Sequence, residues 1–277
     1  MIRASWMWRN AHEPKQFELN DIIEELNDAG YYSCLFTVHS KMPDYIPKIA
    51  KSFDLKHKIK YMLAIRPYLL SPQYLMMLLA SFEDMVPNRI MINWVHGHIA
   101  NDENFNGIIN NGHNFADIDV RRAYMEKFIA MCTDPKVTEM YPEIKFPESL
   151  ISGGNIEIVK MAKKLNLSFA TAYDVFLQKW EKEYKKFNLN SIFVQLSILV
   201  RETDDEAKKD FQNLVPDGMK QSSILYGSYE TLKNKILQLD QMGVTDILVG
   251  QAYFSDKQER QTIHNFINRL RDEGVIL

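Results

Sequence analysis

Several absences narrow this sequence before any pattern is read. Two cysteines, Cys34 and Cys132, make neither a disulfide framework nor a metal-ligand spacing. There is no G-x-S-x-G elbow, no H-E-x-x-H pair and no Walker loop, which removes the usual signatures of serine hydrolases, zinc proteases and P-loop enzymes. His96-x-His98 is half of a metal site with no matching carboxylate cluster, so no metal is expected. The formal charge of -3 gives no basic footprint, and nucleic acid is not an expected partner. No apolar run approaches a membrane span, and the opening MIRASWMWRN lacks the apolar core and small-residue cleavage site of a secretion signal. A soluble, cytoplasmic protein is expected. Neither a linker nor a low-complexity stretch divides residues 1–277, so one domain is expected.

What is present is periodicity. Ile59 to Ile65 is an apolar run stopped by Arg66-Pro67, and Arg89 to Val95 is a second, stopped by His96-Gly97. Between them Ser71-Pro72 opens a helix with Tyr74, Leu75, Leu78, Leu79 and Phe82 at helical spacing. Runs too continuous for a half-exposed sheet, separated by an amphipathic helix, predict strand–helix–strand with buried parallel strands. Further strands are predicted at Ile2 to Trp8, Tyr32 to Val38, Ser149 to Ser152, Leu167 to Ala172, Ile192 to Val200 and Val244 to Val249. Helices are predicted at Asn20 to Ala29, Tyr45 to Phe53, Ala116 to Cys132, Ile156 to Leu165, Val175 to Phe187, from Thr203, and at Tyr229 to Met242 and Lys257 to Asp272. Asn101 to Asn114 and Asn213 to Tyr226 read as loops. About eight strands alternating with about eight helices predict a closed (β/α)8 TIM barrel, with a doubly wound open sheet as the alternative.

In either architecture the chemistry sits beyond the strand C-termini. Ser152-Gly153-Gly154-Asn155 ends a strand at a helix start, where free N–H groups and the helix dipole suit a phosphate; the same glycines also simply make a tight turn. Asn93, His96 and Gly97 end the fourth strand, and Gly97 permits close approach of a planar ring. Arg66 could hold an oxyanion or make an ion pair at the rim. His12 and His39 follow the first two strands, and Tyr253 follows the last.

The order of these motifs resembles the luciferase-like flavin monooxygenases, closest to their alkanesulfonate monooxygenase branch. The resemblance is carried by "GYYSCLFTVHS", "KYMLAIRPYLLSP" and "NRIMINWVHG", by Ser152-Gly153-Gly154, and by "IFVQLSILVRET". It implies a two-component enzyme in which reduced FMN arrives from a separate flavin reductase and, with O2, oxygenates an organic substrate. It implies flavin contacts from Asn93, His96, Gly97, Ser152, Gly153, Gly154 and Asn155. It gives His12 and Tyr253 catalytic roles, with His39, Arg66, Gln195 and Ser197 on the substrate side. Where the branch carries an Arg-x-His pair, this chain has Gln195 and Ser197, and its seventh insertion is short. A simple alkanesulfonate is therefore not the expected substrate; a larger, carrier-bound one is compatible. A deazaflavin-dependent hydride-transfer oxidoreductase and a non-catalytic flavin-binding protein are the alternatives. The resemblance also implies a homodimer built on the helices around Tyr45–Phe53 and Tyr74–Phe82.

Overall fold

The computed structural model describes residues 1–8, 19–37, 45–97, 109–110, 113–114, 117–141, 144–214, 224–251 and 257–277. Eight strands form its centre: β1 (Arg3–Trp8), β2 (Ser33–Phe36), β3 (Lys60–Ile65), β4 (Ile90–Val95), β5 (Glu148–Ser152), β6 (Ser168–Ala172), β7 (Ile192–Arg201) and β8 (Asp246–Gln251). Each pairs in parallel with the next, and β8 returns to pair with β1, closing the ring. The open-sheet alternative is thereby excluded. The helices of the outer layer are α1 (Leu19–Asp28), α2 (Ile46–Lys51), α3 (Pro72–Met85), α4 (Ile118–Cys132), α5 (Ile156–Lys164), α6 (Tyr173–Lys179), α7 (Asp204–Leu214), α8 (Tyr229–Gln241) and α9 (Lys257–Asp272).

Strand periodicity explains why the apolar runs are continuous rather than alternating. Leu35, Met62, Met91, Leu150, Phe193 and Leu248 face one another inside the ring. Their chain neighbours, such as Tyr61, Ile92, Ile151, Val194 and Ile247, pack outward against the helices. Each side chain so buried contributes about 1.5–3 kcal/mol. The N-terminal end of the ring is closed by charge instead. Arg3 donates to Asp246 at 2.7 Å and to Glu148 at 3.3 Å, Lys60 donates to Glu148 at 3.0 Å, and Arg3 also stacks on the Tyr32 ring. With that end plugged, the opposite mouth is where a ligand can enter.

Capping decides several boundaries. The Ser71 hydroxyl accepts from the Tyr74 amide at 3.1 Å, with Pro72 as first helical residue, as the sequence predicts. The last barrel strand starts at Asp246, two residues beyond expectation. Gly243 lies at φ 84, and the Val244 amide is still bonded back to the Leu239 carbonyl.

Three segments differ from the sequence reading. The region 213–226, expected as a loop, includes the start of an extra strand, Ile224–Ser228, which pairs with the upper part of β7. Residues 109–110 and 113–114, within an expected loop, form a short antiparallel ladder. The expected helix 175–187 is α-helical only to Lys179, continues as a π-helical turn at Trp180–Tyr184 and ends in a 3-10 turn, Lys185–Phe187. The wider turn aligns Lys179 and Tyr184, five residues apart, so that both donate to the Gly154 carbonyl, at 2.8 and 2.9 Å.

Both cysteines are fully buried, and burial pushes the Cys132 thiol up to about 12. Since the thiolate is the reactive form, the native protein will resist Ellman's reagent while both thiols react in denaturant. Rapid labelling of the native protein would contradict that packing.

Candidate active site at the barrel mouth

Around the ends of β3, β4 and β5 the chain gathers three guanidinium groups and an imidazole. Arg66 follows β3, His96 follows β4, and Arg121 and Arg122 lie near the start of α4. Arg66 is 8% exposed and Arg121 only 3%. Arg121 Nε donates to the His96 carbonyl at 2.7 Å, joining the helix to the end of β4. Burial holds the Arg121 guanidinium below its ordinary value; Tyr68 and Asp117 oppose this, while Arg122 and Arg66 add to it. Arg122 pairs with Asp119 at 2.9 Å on its exposed side, yet its buried Nε has no hydrogen bond among the described residues.

Gly97 fits here for two physical reasons. Its φ is 72, and a Cβ would stand 2.4 Å from the Tyr68 hydroxyl oxygen. A larger residue would therefore drive Tyr68 out of the wall beside Arg66. Across the mouth, a Cβ on Gly153 would lie 3.4 Å from His96 Cε1, so the glycine turn after β5 borders the cationic cluster. A Cβ on Gly154 would meet Val175 at 2.9 Å, and its carbonyl is fixed by Lys179 and Tyr184.

The Gly153 amide is used in the sheet, donating to the Ala170 carbonyl at 2.9 Å. The next two amides, of Gly154 and Asn155, make no hydrogen bond among the described residues. They sit at the positive end of α5, where an oxyanion is favoured. Asn155, expected to contact flavin, uses its side-chain oxygen to cap α5 by accepting from the Glu157 amide at 3.0 Å. Its side-chain carbonyl is therefore structural, and its backbone amide is what it can offer a ligand. Below the turn, Ser152 Oγ donates to Asn93 Oδ1 at 2.6 Å, fixing both side chains inside the ring.

The structure thus brings Arg66, Asn93, His96, Gly97, Ser152, Gly153, Gly154 and Asn155 to neighbouring strand ends. Gln195 and Ser197 lie apart from them on β7, on the inward face that also carries Phe193. His12, His39 and Tyr253, and with them His98, fall outside the described residues. The sequence reading missed Tyr68, Arg121, Arg122, Lys179 and Tyr184. The Arg121-Arg122 pair had a legible signal. Adjacent cations just inside a helix start oppose the macrodipole and call for a nearby anion. Among the described residues no cluster of three or more His, Cys, Asp or Glu side chains could hold a metal.

No protein-family model matches this chain, and no curated protein does. Solved structures match over nearly its whole length. The crystal structure of apo-MsnO8 superposes with a TM-score of 0.78 at 13% identity, covering 98% of this chain and 99% of that one. The oxygenating constituent of 3,6-diketocamphane monooxygenase from Pseudomonas putida, a type II Baeyer–Villiger monooxygenase in complex with FMN, gives 0.68 at 14% identity, covering 98% and 97%. An F420-dependent secondary alcohol dehydrogenase, in complex with an F420-acetone adduct, gives 0.64 at 12% identity, also covering 98% and 97%. At such identities the likeness establishes the fold, a luciferase-like (β/α)8 barrel.

Proposed function

We propose that this chain is the oxygenating component of a two-component flavin monooxygenase, using reduced FMN from a separate reductase and O2 to oxygenate an organic substrate. The observation that carries the reading is the pair of buried guanidinium groups, Arg66 and Arg121, with the half-buried Arg122 next to them and the open amides of Gly154 and Asn155 across the strand ends, a combination that suits a phosphate. Those amides and guanidinium groups would take the FMN phosphate. Gly97 and Gly153 leave room for the ring, with Asn93, His96 and Ser152 offering polar contacts to its edge. When bound, reduced FMN supplies the electrons that activate O2. The protein's own part is to hold the phosphate, orient the ring over the strand ends and keep water from the reacting face.

On this reading His12 and Tyr253 act on the substrate and His39, Gln195 and Ser197 shape its side of the mouth, while Arg66, expected on the substrate side, goes to the phosphate with Arg121. The fold shared with an F420-dependent dehydrogenase and with an FMN-bound monooxygenase supports hydride transfer from a deazaflavin as a second reading. A non-catalytic flavin carrier is the third. We further propose a cytoplasmic homodimer that buries the outer side of α3, where Tyr74, Met77 and Met85 are about half exposed.

The deciding experiment titrates the protein anaerobically with FMN, reduced FMN and reduced deazaflavin, then admits O2. Preference for reduced FMN, followed by an oxygen-dependent absorbance absent from free flavin, is expected. Preference for the deazaflavin with no oxygen response would replace the proposal by hydride transfer. FMN binding without any oxygen response would leave a flavin carrier.

A further inference from the structure

The Gly154 carbonyl is held more firmly than helix capping requires. Asn155 is the N-cap of α5, and its own carbonyl accepts from the Ile158 amide at 3.0 Å, so Gly154 lies one residue outside the helix. A single donor would satisfy its carbonyl. It receives two, Lys179 Nζ at 2.8 Å and the Tyr184 hydroxyl at 2.9 Å. One is a cation, and the other sits on a side chain only 1% exposed. Burial pushes the Tyr184 phenol up to about 12, so it stays protonated and donates. A regular α-helix would turn residues five apart about 140° away from each other. The π-helical turn at Trp180–Tyr184 removes that separation, and such turns are rare enough to suggest a task.

That task lies in the peptide being held. No peptide bond among the described residues is cis, so the Gly154 carbonyl and the Asn155 N–H point in opposite directions within one plane. Strand β5 has β4 on one side and β6 on the other. Lys179 and Tyr184 follow β6 in the chain and draw the carbonyl to that side. The Asn155 N–H is thereby turned toward the β4 side, where Arg121 is bonded to the His96 carbonyl. It has no acceptor among the described residues, and the turn is partly exposed. A donor on the carbonyl oxygen also polarises the peptide, which strengthens the N–H at its other end. An ammonium group does this more strongly than a hydroxyl.

We infer, resting on the flavin reading for the identity of the ligand, that Lys179 and Tyr184 are positioning residues for the phosphate. They hold the Gly154–Asn155 peptide so that its N–H meets a phosphate oxygen, and they act through that peptide and not by contact with the ligand. A freely turning peptide would have to be ordered at the moment of binding; the clamp orders it beforehand.

The test measures dissociation constants for FMN and for riboflavin, by flavin fluorescence, in the wild type and in clamp variants. Tyr184→Phe removes a hydroxyl and no charge, so lost long-range attraction cannot explain a change in phosphate preference. It should weaken FMN about three- to tenfold and riboflavin less than about twofold. Lys179→Met should weaken FMN about tenfold or more, and Lys179→Arg, which keeps donor and charge, should stay within about threefold of wild type. A direct readout comes from the sequence, in which Gly154-Asn155 is the only Gly-Asn pair. Glycine labelled with 13C at its carbonyl, together with 15N-asparagine, leaves this one peptide visible in a carbon-filtered amide spectrum. FMN, or inorganic phosphate in its place, should move that amide proton downfield in the wild type and much less in Tyr184→Phe. Equal losses of FMN and riboflavin affinity would mean that the clamp only ties α6 to α5, and would overturn the inference. An amide signal unmoved by either ligand in the wild type would overturn it as well. Phosphate moving the signal in a protein that does not bind FMN would remove the flavin reading and leave the clamp standing.

Discussion

Replacing Arg121 by alanine will weaken FMN binding roughly 10- to 100-fold while leaving riboflavin binding within about twofold. Riboflavin has the same ring and ribityl chain but no phosphate, so the difference isolates the oxyanion contact. A buried guanidinium near Arg66 and Arg122, bonded through Nε to the His96 carbonyl, is placed for that contact. Arg121→Lys keeps a charge but loses the planar fork, and its FMN affinity should fall between wild type and Arg121→Ala. Because Arg121 also anchors His96, the melting temperature is measured alongside. Equal losses for FMN and riboflavin would mean that Arg121 shapes the mouth and does not bind phosphate.

Glu25→Ala is expected to cause the largest loss of stability, roughly 3–5 kcal/mol, or about 10 °C in melting temperature. Glu25 on α1 accepts from Arg260 at 3.2 Å and bonds the His264 ring at 2.8 Å, both residues of α9. Arg260 is 1% exposed, so removing the carboxylate takes an ion pair from a buried cation between two helices. His264 in turn bonds the Tyr31 hydroxyl at 3.0 Å beneath the Trp6 ring, which couples the pair to the barrel wall. Burial raises the Glu25 carboxyl, but hydrogen bonds from His264 and Arg260 outweigh it and bring the group down to about 2. In the unfolded chain such a group titrates near ~4.3. A carboxyl depressed on folding contributes stability that is complete above the unfolded value and is lost as pH falls toward the folded one. Urea midpoints should therefore drop from about pH 4.5 to pH 2 in the wild type, and more gently in Glu25→Ala. Parallel acid limbs in the two proteins would show that Glu25 is not the group responsible.

Much of the architecture was legible because local rules and global fold agree. Ile59–Ile65 and Arg89–Val95 read as buried parallel strands since both of their faces are covered, one by the ring interior and one by helices. Ser71-Pro72 announced α3 through its cap and fixed φ. The glycine turn after β5 was likewise visible as a Gly-Gly pair at a helix start, and a Cβ on Gly154 would come within 2.9 Å of Val175. Less was legible where a distant contact overrides propensity. The π-helical turn at Trp180–Tyr184 exists to bring Lys179 and Tyr184 onto Gly154, and nothing in residues 175–187 announces that partner. The strand Ile224–Ser228 forms because the upper part of β7 extends beyond β6 and offers free backbone groups.

By itself, then, the sequence determined the alternation of strands and helices and the strand ends that could carry chemistry, and it favoured a closed barrel over an open sheet until the pairing of β8 with β1 settled closure. Hydrophobic period, caps and glycines are local properties and survive without coordinates. Tertiary structure alone decided that Arg121 stands behind His96, that Asn155 caps a helix with its side-chain oxygen, and that Arg66 and Arg121 share one side of the mouth. Those facts depend on residues far apart in the chain meeting at one end of the ring, which no window of sequence contains.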